Sequence, residues 1–141
     1  MSRILITGAT GFIGRAVCQS LRNAGHTLSG TTRDANKKRG PANIPLYNVP
    51  QVGVDTDWLP FVSGAEAIVH LAARVHVVRD FSLNTLGEFR RVNRDGTIKL
   101  AEAAISAGVK RLVFVSTVKV NGEVTLNRSF LETDTPSPLD A

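Results

Sequence analysis

Cysteine is almost missing from this chain. Cys18 is the only one among 141 residues, so no disulfide can form within it, and a reducing compartment, the cytoplasm, is expected. Three histidines and one cysteine in no zinc-type spacing leave no metal site to expect. No apolar run approaches the ~20 residues that cross a bilayer. The N-terminus, MSRILIT, enters a strand-like run with no apolar leader and no small-residue cleavage site, so neither a membrane span nor a secretory signal is expected. Internal repeats are absent as well. Acidic residues are the scarcer charged class, 12 against 17 Lys and Arg, for a net charge of +5. No basic stripe interleaved with aromatics accompanies that excess, which argues against nucleic acid. A phosphate-rich small ligand fits the charge, and so does a plainly basic surface.

What is present alternates between short apolar strands and amphipathic helices. Residues 3–7 read as a β-branched strand. Residues 11–24 carry Phe12, Ile13, Ala16, Val17 and Leu21 at helical spacing, and Gly25 supplies the stop. A weaker strand follows over 27–32, then a cationic loop over 33–43 and a third strand, interrupted by prolines, over 44–49. Residues 55–63 predict a short helix with Asp55 or Thr56 as N-cap. A fourth strand (EAIVHL, 66–71), a long helix (82–107) and a fifth strand (KRLVFVS, 110–116) complete the pattern, with loop from Thr117 onward. Strands that are apolar on both faces and alternate with helices predict an α/β fold, one domain with a doubly wound, Rossmann-type parallel sheet of about five strands. In the long helix Leu86, Phe89, Asn93, Gly96/Thr97, Leu100 and Ala104 fall on one stripe. Asn93 therefore faces the sheet, where an unpartnered amide would cost ~1–3 kcal/mol. It either ties the helix to a strand end or holds a loop near a ligand.

The segment ITGATGFIG follows the first strand and opens the first helix. Gly8 permits a tight turn, Gly11 lets backbone amides approach a diphosphate, and Gly14 lets the helix sit close to the sheet. Unpaired amides and the positive end of the helix then face the anion. The backbone of Gly8, Thr10, Gly11, Phe12, Ile13 and Gly14 is the candidate cradle for a dinucleotide. An acid for the ribose hydroxyls belongs at the end of the second strand. Thr31 and Thr32 stand there instead, followed by Arg33, which suits a 2′-phosphate. NADP is favoured over NAD on that ground, although Asp34, one or two residues late, keeps NAD open. Lys37, Lys38 and Arg39 add to the local positive field or simply decorate an exposed loop.

TGATGFIG (7–14), HLAA (70–73), VNRDGT (92–97) and FVST (114–117), in this order and spacing, resemble the extended short-chain dehydrogenase/reductases. Within them the chain is similar to the NAD(P)-dependent nucleotide-sugar epimerase/dehydratase family. HLAARVHVVRD, FVSTVKVNGE and ETDTPSPLDA are most similar to the bacterial branch that acts on UDP-linked N-acetyl sugars in polysaccharide synthesis, as a 4-epimerase or 4-ketoreductase. The resemblance implies a tyrosine phenolate that takes the sugar hydroxyl proton while hydride moves to the nicotinamide. It further implies a lysine four residues after that tyrosine and a Ser or Thr that hydrogen-bonds the reacting oxygen. Thr117 matches the Ser/Thr position, with Ser116 adjacent and Val115 beside the cofactor. The tyrosine and lysine are not found: Tyr47 is the only tyrosine, and no Y-x-x-x-K occurs. In the family that motif follows a proline-rich segment like PSPLDA, so the expectation is a truncated chain without its substrate-binding part, inactive alone and prone to self-association. A dinucleotide-binding module without catalysis, or a reductase of a non-nucleotide carbonyl, are the alternatives.

Other residues carry two readings each. Leu71, Ala72 and Ala73 are small enough to admit the cofactor or are ordinary packing. His70 lies in an apolar run and reads as a satisfied core histidine before a catalyst. Arg74, His76 and Arg79 meet a substrate diphosphate or line a solvated loop. Asp55 is a candidate contact for the adenine amino group. Asn121 stands where the family often has tyrosine, which weakens any transfer of a substrate role to it.

Overall fold

The computed structural model describes residues 1–75, 84–125 and 127–139. Its first strand explains the layering. In β1 (Arg3–Thr7) successive side chains alternate between faces. Ile4 and Ile6 join one core with Ala9, Cys18, Leu28, Ile44 and Leu46. Leu5 joins another with Val49, Trp58, Val62, Ile68, Leu100 and Ala104. A strand apolar on both faces thus sits in mid-sheet with helices on either side. Helix α1 (Phe12–Asn23) covers the first face and ends where Gly25 turns left-handed at φ +83°. The helical elements between β3 and β5 cover the second.

All five strands run parallel, in the order β3-β2-β1-β4-β5. The others are β2 (Thr27–Thr32), β3 (Leu46–Asn48), β4 (Ala67–His70) and β5 (Arg111–Phe114). The doubly wound parallel sheet is thereby realised, and β1 and β2 have the limits read from sequence. Strands three to five are shorter than the runs read from sequence, although residues just outside them still bond neighbouring strands, as Glu66 N–H does the Arg3 carbonyl at 2.8 Å and Val115 N–H the His70 carbonyl at 3.2 Å. Pro45, ahead of β3, accepts the Gly30 N–H of β2 at 2.9 Å and also bridges back to Arg39.

Helix α2 spans only Leu59–Val62, not 55–63. Neither Asp55 nor Thr56 caps it: Asp57 Oδ1 accepts the Leu59 N–H at 3.2 Å, while Thr56 donates its hydroxyl to the Gln51 carbonyl at 2.9 Å. Local side-chain turns have displaced the first helical turn. The long helix is α3 (Thr85–Phe89) and α4 (Gly96–Ser106) joined by a π-helical stretch, Arg90–Asp95, in which the Gly96 N–H bonds the Arg91 carbonyl. Its expected start at Ser82 lies outside the described residues. Gly96 lets the helix approach the loop after β3: a Cβ there would lie 2.8 Å from Val52 Cγ1 and 3.1 Å from Gly53 N.

Candidate functional site

The parallel register brings the carboxyl ends of the strands level, with Thr7 opposite His70 and His70 opposite Phe114. The chain leaves β1 toward β2 and leaves β4 toward β5, so a crevice opens between the loops after β1 and β4, the topological switch point where such sheets bind ligands. Each glycine of the turn has its own reason to be there. Gly8 is left-handed at φ +69°, and a Cβ on it would press on Ala72 N at 2.9 Å. A Cβ on Gly14 would lie 2.2 Å from the Gly8 carbonyl oxygen and 2.8 Å from Ala9. Gly11 differs. Its added Cβ would meet only the Gly8 oxygen, at 3.3 Å, so the fold alone does not demand glycine there. Gly11 also precedes α1 with no side-chain cap and no acidic residue in the first turn. The helix therefore presents bare amides and a positive end to an anion.

Phe12 and Ile13 correct the expected apolar face of α1. They are 94% and 54% exposed, whereas Gly14 and Cys18 are buried. They stand at the rim of the turn instead of in the core. Thr10, whose carbonyl accepts from Arg15 Nε at 3.2 Å, completes the turn.

The loop after β4 is held by a directed chain of hydrogen bonds. Thr7 Oγ1 accepts the Leu71 and Ala72 N–H groups, both at 3.1 Å, and lies 2.6 Å from His70 Nδ1. Thr97 donates its hydroxyl to the Asn93 carbonyl at 2.7 Å and lies 3.0 Å from His70 Nε2. Each hydroxyl has one proton. Thr7 must give its proton to Nδ1, and Thr97 has already given its own away, so Nε2 carries the imidazole proton. Burial holds this ring neutral, its pKa pushed down from 6.5 to about 4. His70 is the satisfied core histidine that the sequence favoured. Its pairing with Thr7 and Thr97 has no local sequence signal, because both lie far from it along the chain.

Asn93 resolves to loop holding. Its Oδ1 accepts the Arg74 N–H at 2.7 Å and its Nδ2 donates to the Arg74 carbonyl at 3.0 Å. The Arg74 guanidinium lies over the Phe89 ring, 5.5 Å from its centroid. Leu71 and Ala72 are half-buried beside Gly8 and Ala73 is exposed. His76 and Arg79 lie outside the described residues.

Thr31 and Thr32 at the end of β2 are buried, and Arg33 is exposed. Asp34 folds its carboxylate back to accept the Asn36 N–H at 2.9 Å. Asp55 is exposed and lines an open hollow with Asn48, Gln51, Phe61 and Arg91, beyond the carboxyl end of β3.

Beyond β5, the Val115 N–H bonds the His70 carbonyl at 3.2 Å, which brings this loop beside the β4 loop. Thr117 caps a short 3₁₀ turn, Val118–Val120, by accepting the Lys119 N–H at 3.3 Å. Its hydroxyl proton remains to donate, and Ser116 and Thr117 are both exposed. Tyr47 sits on β3, with β2, β1 and β4 between it and β5, so it cannot serve Thr117. The Asn121 amide reaches the Asp134 carbonyl at 3.5 Å, a structural tie to the tail. Asp134 itself pairs with Arg128 at 2.6 and 2.8 Å, and that guanidinium holds its pKa down at about 2.

A five-stranded 3-2-1-4-5 parallel sheet with a glycine turn at its switch point is a dinucleotide-binding α/β domain of the Rossmann type. Residues 4–140 match the NAD dependent epimerase/dehydratase family, and the chain belongs to it. It is 40% identical over 125 residues to a UDP-glucose 4-epimerase of Vibrio cholerae, covering 87% of this chain and 37% of that protein. Among solved structures it is similar to MoeE5 in complex with UDP-glucose and NAD (TM-score 0.77, 29% identity, 97% of this chain and 43% of that one). It is also similar to a UDP-glucose 4-epimerase of Thermotoga maritima with UDP-glucose (TM-score 0.77, 27% identity, 97% and 45%). The chain thus spans less than half the length of these relatives.

Proposed function

We propose that these residues form the cofactor-holding part of an NAD(P)-dependent enzyme acting at C4 of a nucleotide sugar, as a 4-epimerase or a 4-ketoreductase. The observation that carries this reading is Gly11. It is the one glycine of the turn with room for a side chain on the protein side, and it stands before the uncapped amides of α1. A ligand that needs the same space accounts for it. The residues fit a nicotinamide dinucleotide: Gly8 to Gly14 would take the diphosphate, and Leu71 to Ala73 would flank it. Bound there, the nicotinamide supplies a hydride acceptor and donor. Val115 stands beside the β4 loop on the cofactor side, and Asn93 contributes through Arg74.

Arg33 favours NADP. It is exposed directly after β2, where threonines rather than a carboxylate end the strand, and Asp34 spends one carboxylate oxygen on the Asn36 N–H of its own loop. The relative solved with NAD leaves NAD as the second reading. Asp55 is retained as a candidate adenine contact.

Thr117 is the candidate hydroxyl at the reacting oxygen of the sugar. It sits at the same carboxyl end of the sheet as the glycine turn, with its proton free to donate. The 141 residues contain no Y-x-x-x-K. By themselves they should turn over UDP-sugars poorly, since a positioned acid/base contributes ~10²–10⁴-fold. Cys18, buried and unpaired, fits a reducing cytoplasm. Self-association is proposed through the edge strand β5 and the residue after it, where Val113, Phe114 and Val115 are exposed.

Calorimetric titration with NADP(H) and NAD(H) tests the reading. Uptake of one or both, abolished in Gly11→Val protein that keeps its circular dichroism spectrum, is expected. No uptake by folded wild-type protein would overturn it.

A further inference from the structure

The hydrogen-bond chain through His70 does more than satisfy a buried ring. It joins the first loop of the switch-point crevice to the second, and both to the start of α4. Thr7 closes β1, and its hydroxyl takes the two amides that begin the β4 loop. The second of those amides lies against the left-handed Gly8, whose missing Cβ would meet Ala72 N at 2.9 Å and the Leu71 carbonyl carbon at 3.0 Å. Thr7 can accept both amides only while its own proton is directed elsewhere, and the described acceptor is His70 Nδ1. His70 in turn can accept at Nδ1 and donate at Nε2 only as one neutral tautomer. Thr97 selects that tautomer, because its hydroxyl proton is committed to the Asn93 carbonyl.

The geometry points to His70, fixed in its Nε2–H form by Thr97, as a positioning residue that sets the cofactor-facing shape of residues 71–72 through Thr7. This rests on the dinucleotide reading for its functional consequence, but not for its structural one. His70 makes no contact with the ligand in this scheme. Its effect passes through one hydroxyl to two backbone amides at the site. The uncharged groups that face it are Thr7 from β1, Thr97 from α4 and, from β5, the Phe114 ring at 6.0 Å between centroids. Burial keeps the ring uncharged, and among the described residues no charged group is paired with it.

Four variants test this by two readouts: dinucleotide affinity by calorimetry, and amide hydrogen exchange at Leu71 and Ala72 relative to the rest of the sheet. Thr97→Val keeps the shape and removes the tautomer-selecting acceptor, and Thr97→Ser restores the hydroxyl. His70→Leu removes both ring partners, and His70→Gln restores one donor and one acceptor. The expected result is a loss of affinity of roughly three- to tenfold, one hydrogen bond's worth, in Thr97→Val, with Leu71 and Ala72 exchanging faster while Ile4, Leu5 and Ile68 do not. Thr97→Ser and His70→Gln should recover most of it. Wild-type affinity in Thr97→Val with unchanged exchange at both amides would overturn the proposal. So would uniform acceleration across the sheet with unchanged affinity, which is what a purely structural histidine produces. If the wild-type protein binds no dinucleotide, the dinucleotide reading fails separately. The exchange pattern then decides alone: selective acceleration sustains the positioning of residues 71–72, and its absence refutes it.

Discussion

Replacing Gly14 and Gly11 by alanine should give opposite phenotypes. At Gly14 the new Cβ would lie 2.2 Å from the Gly8 carbonyl oxygen and 2.8 Å from Ala9 C and O. All three are backbone atoms of a tight turn, which cannot rotate away as a side chain would. Overpacking of this kind costs about 1–3 kcal/mol or more, and contact this close belongs at the upper end. Alanine returns up to about 1 kcal/mol because Gly14 lies in a helix, where glycine is the poorer residue. The net loss is then about 2 kcal/mol, a fall in Tm of roughly 5–10 °C for a domain of this size. At Gly11 the Cβ meets one atom at 3.3 Å, and exchanging glycine for alanine at an N-cap costs roughly 0.5–1 kcal/mol. Gly11→Ala should therefore melt within a few degrees of wild type yet bind dinucleotide more weakly, because in the proposed reading its methyl competes with the diphosphate for space. Thermal melts by circular dichroism and calorimetric titration separate the two. A Gly14→Ala protein as stable as wild type, or a Gly11→Ala protein less stable than Gly14→Ala, would refute the reasoning.

Acid should destabilise the fold through His70. Its folded pKa, about 4, lies below the ordinary 6.5, so the unfolded chain takes up the proton first as pH falls. The stability is present in full above pH 6.5 and is lost through that window, about 3 kcal/mol in all. Urea midpoints between pH 7 and 4 should fall more steeply for wild type than for His70→Gln, and parallel profiles would contradict this. Arg33→Ser should weaken NADP(H) binding by about 10- to 100-fold, the range for a hydrogen bond to a charged group, while NAD(H) binding stays the same in a competition assay. Light scattering should show association that grows with concentration, and Val113→Lys on the edge strand should reduce it; a monomer at every concentration would count against that interface.

The parts legible in the sequence were those governed by local rules. The first two strands and α1 followed from β-branched runs, helical spacing and a terminal glycine. Phe12 and Ile13 misled because their spacing matches a core face, whereas the close seat that Gly14 permits turns the first helical turn to solvent. Helix α2 was overread because Asp57 and Thr56 bond nearby backbone and stop the helix from starting earlier. The π-helical stretch at Arg90–Asp95 has no signature in apolar spacing; it depends on what the helix packs against. Thr7, His70 and Thr97 could not be joined by any sequence pattern, since register alone brings Thr7 opposite His70. Asn93 was the exception. A lone amide on an apolar stripe announced that it had a partner, and only the partner's identity, Arg74, required the fold.

The contact between Gly8 and Ala72 has a consequence for biosynthesis. The glycine turn is complete in sequence some sixty codons before the wall it leans on, at Leu71 and Ala72, is translated. A nascent polypeptide emerging from the ribosome thus cannot seat Gly8 against that wall until β4 has been made and has inserted beside β1. Parallel pairing over such a distance is slow to nucleate, so closure of the crevice in the growing chain must be a late event, however early its glycines appear.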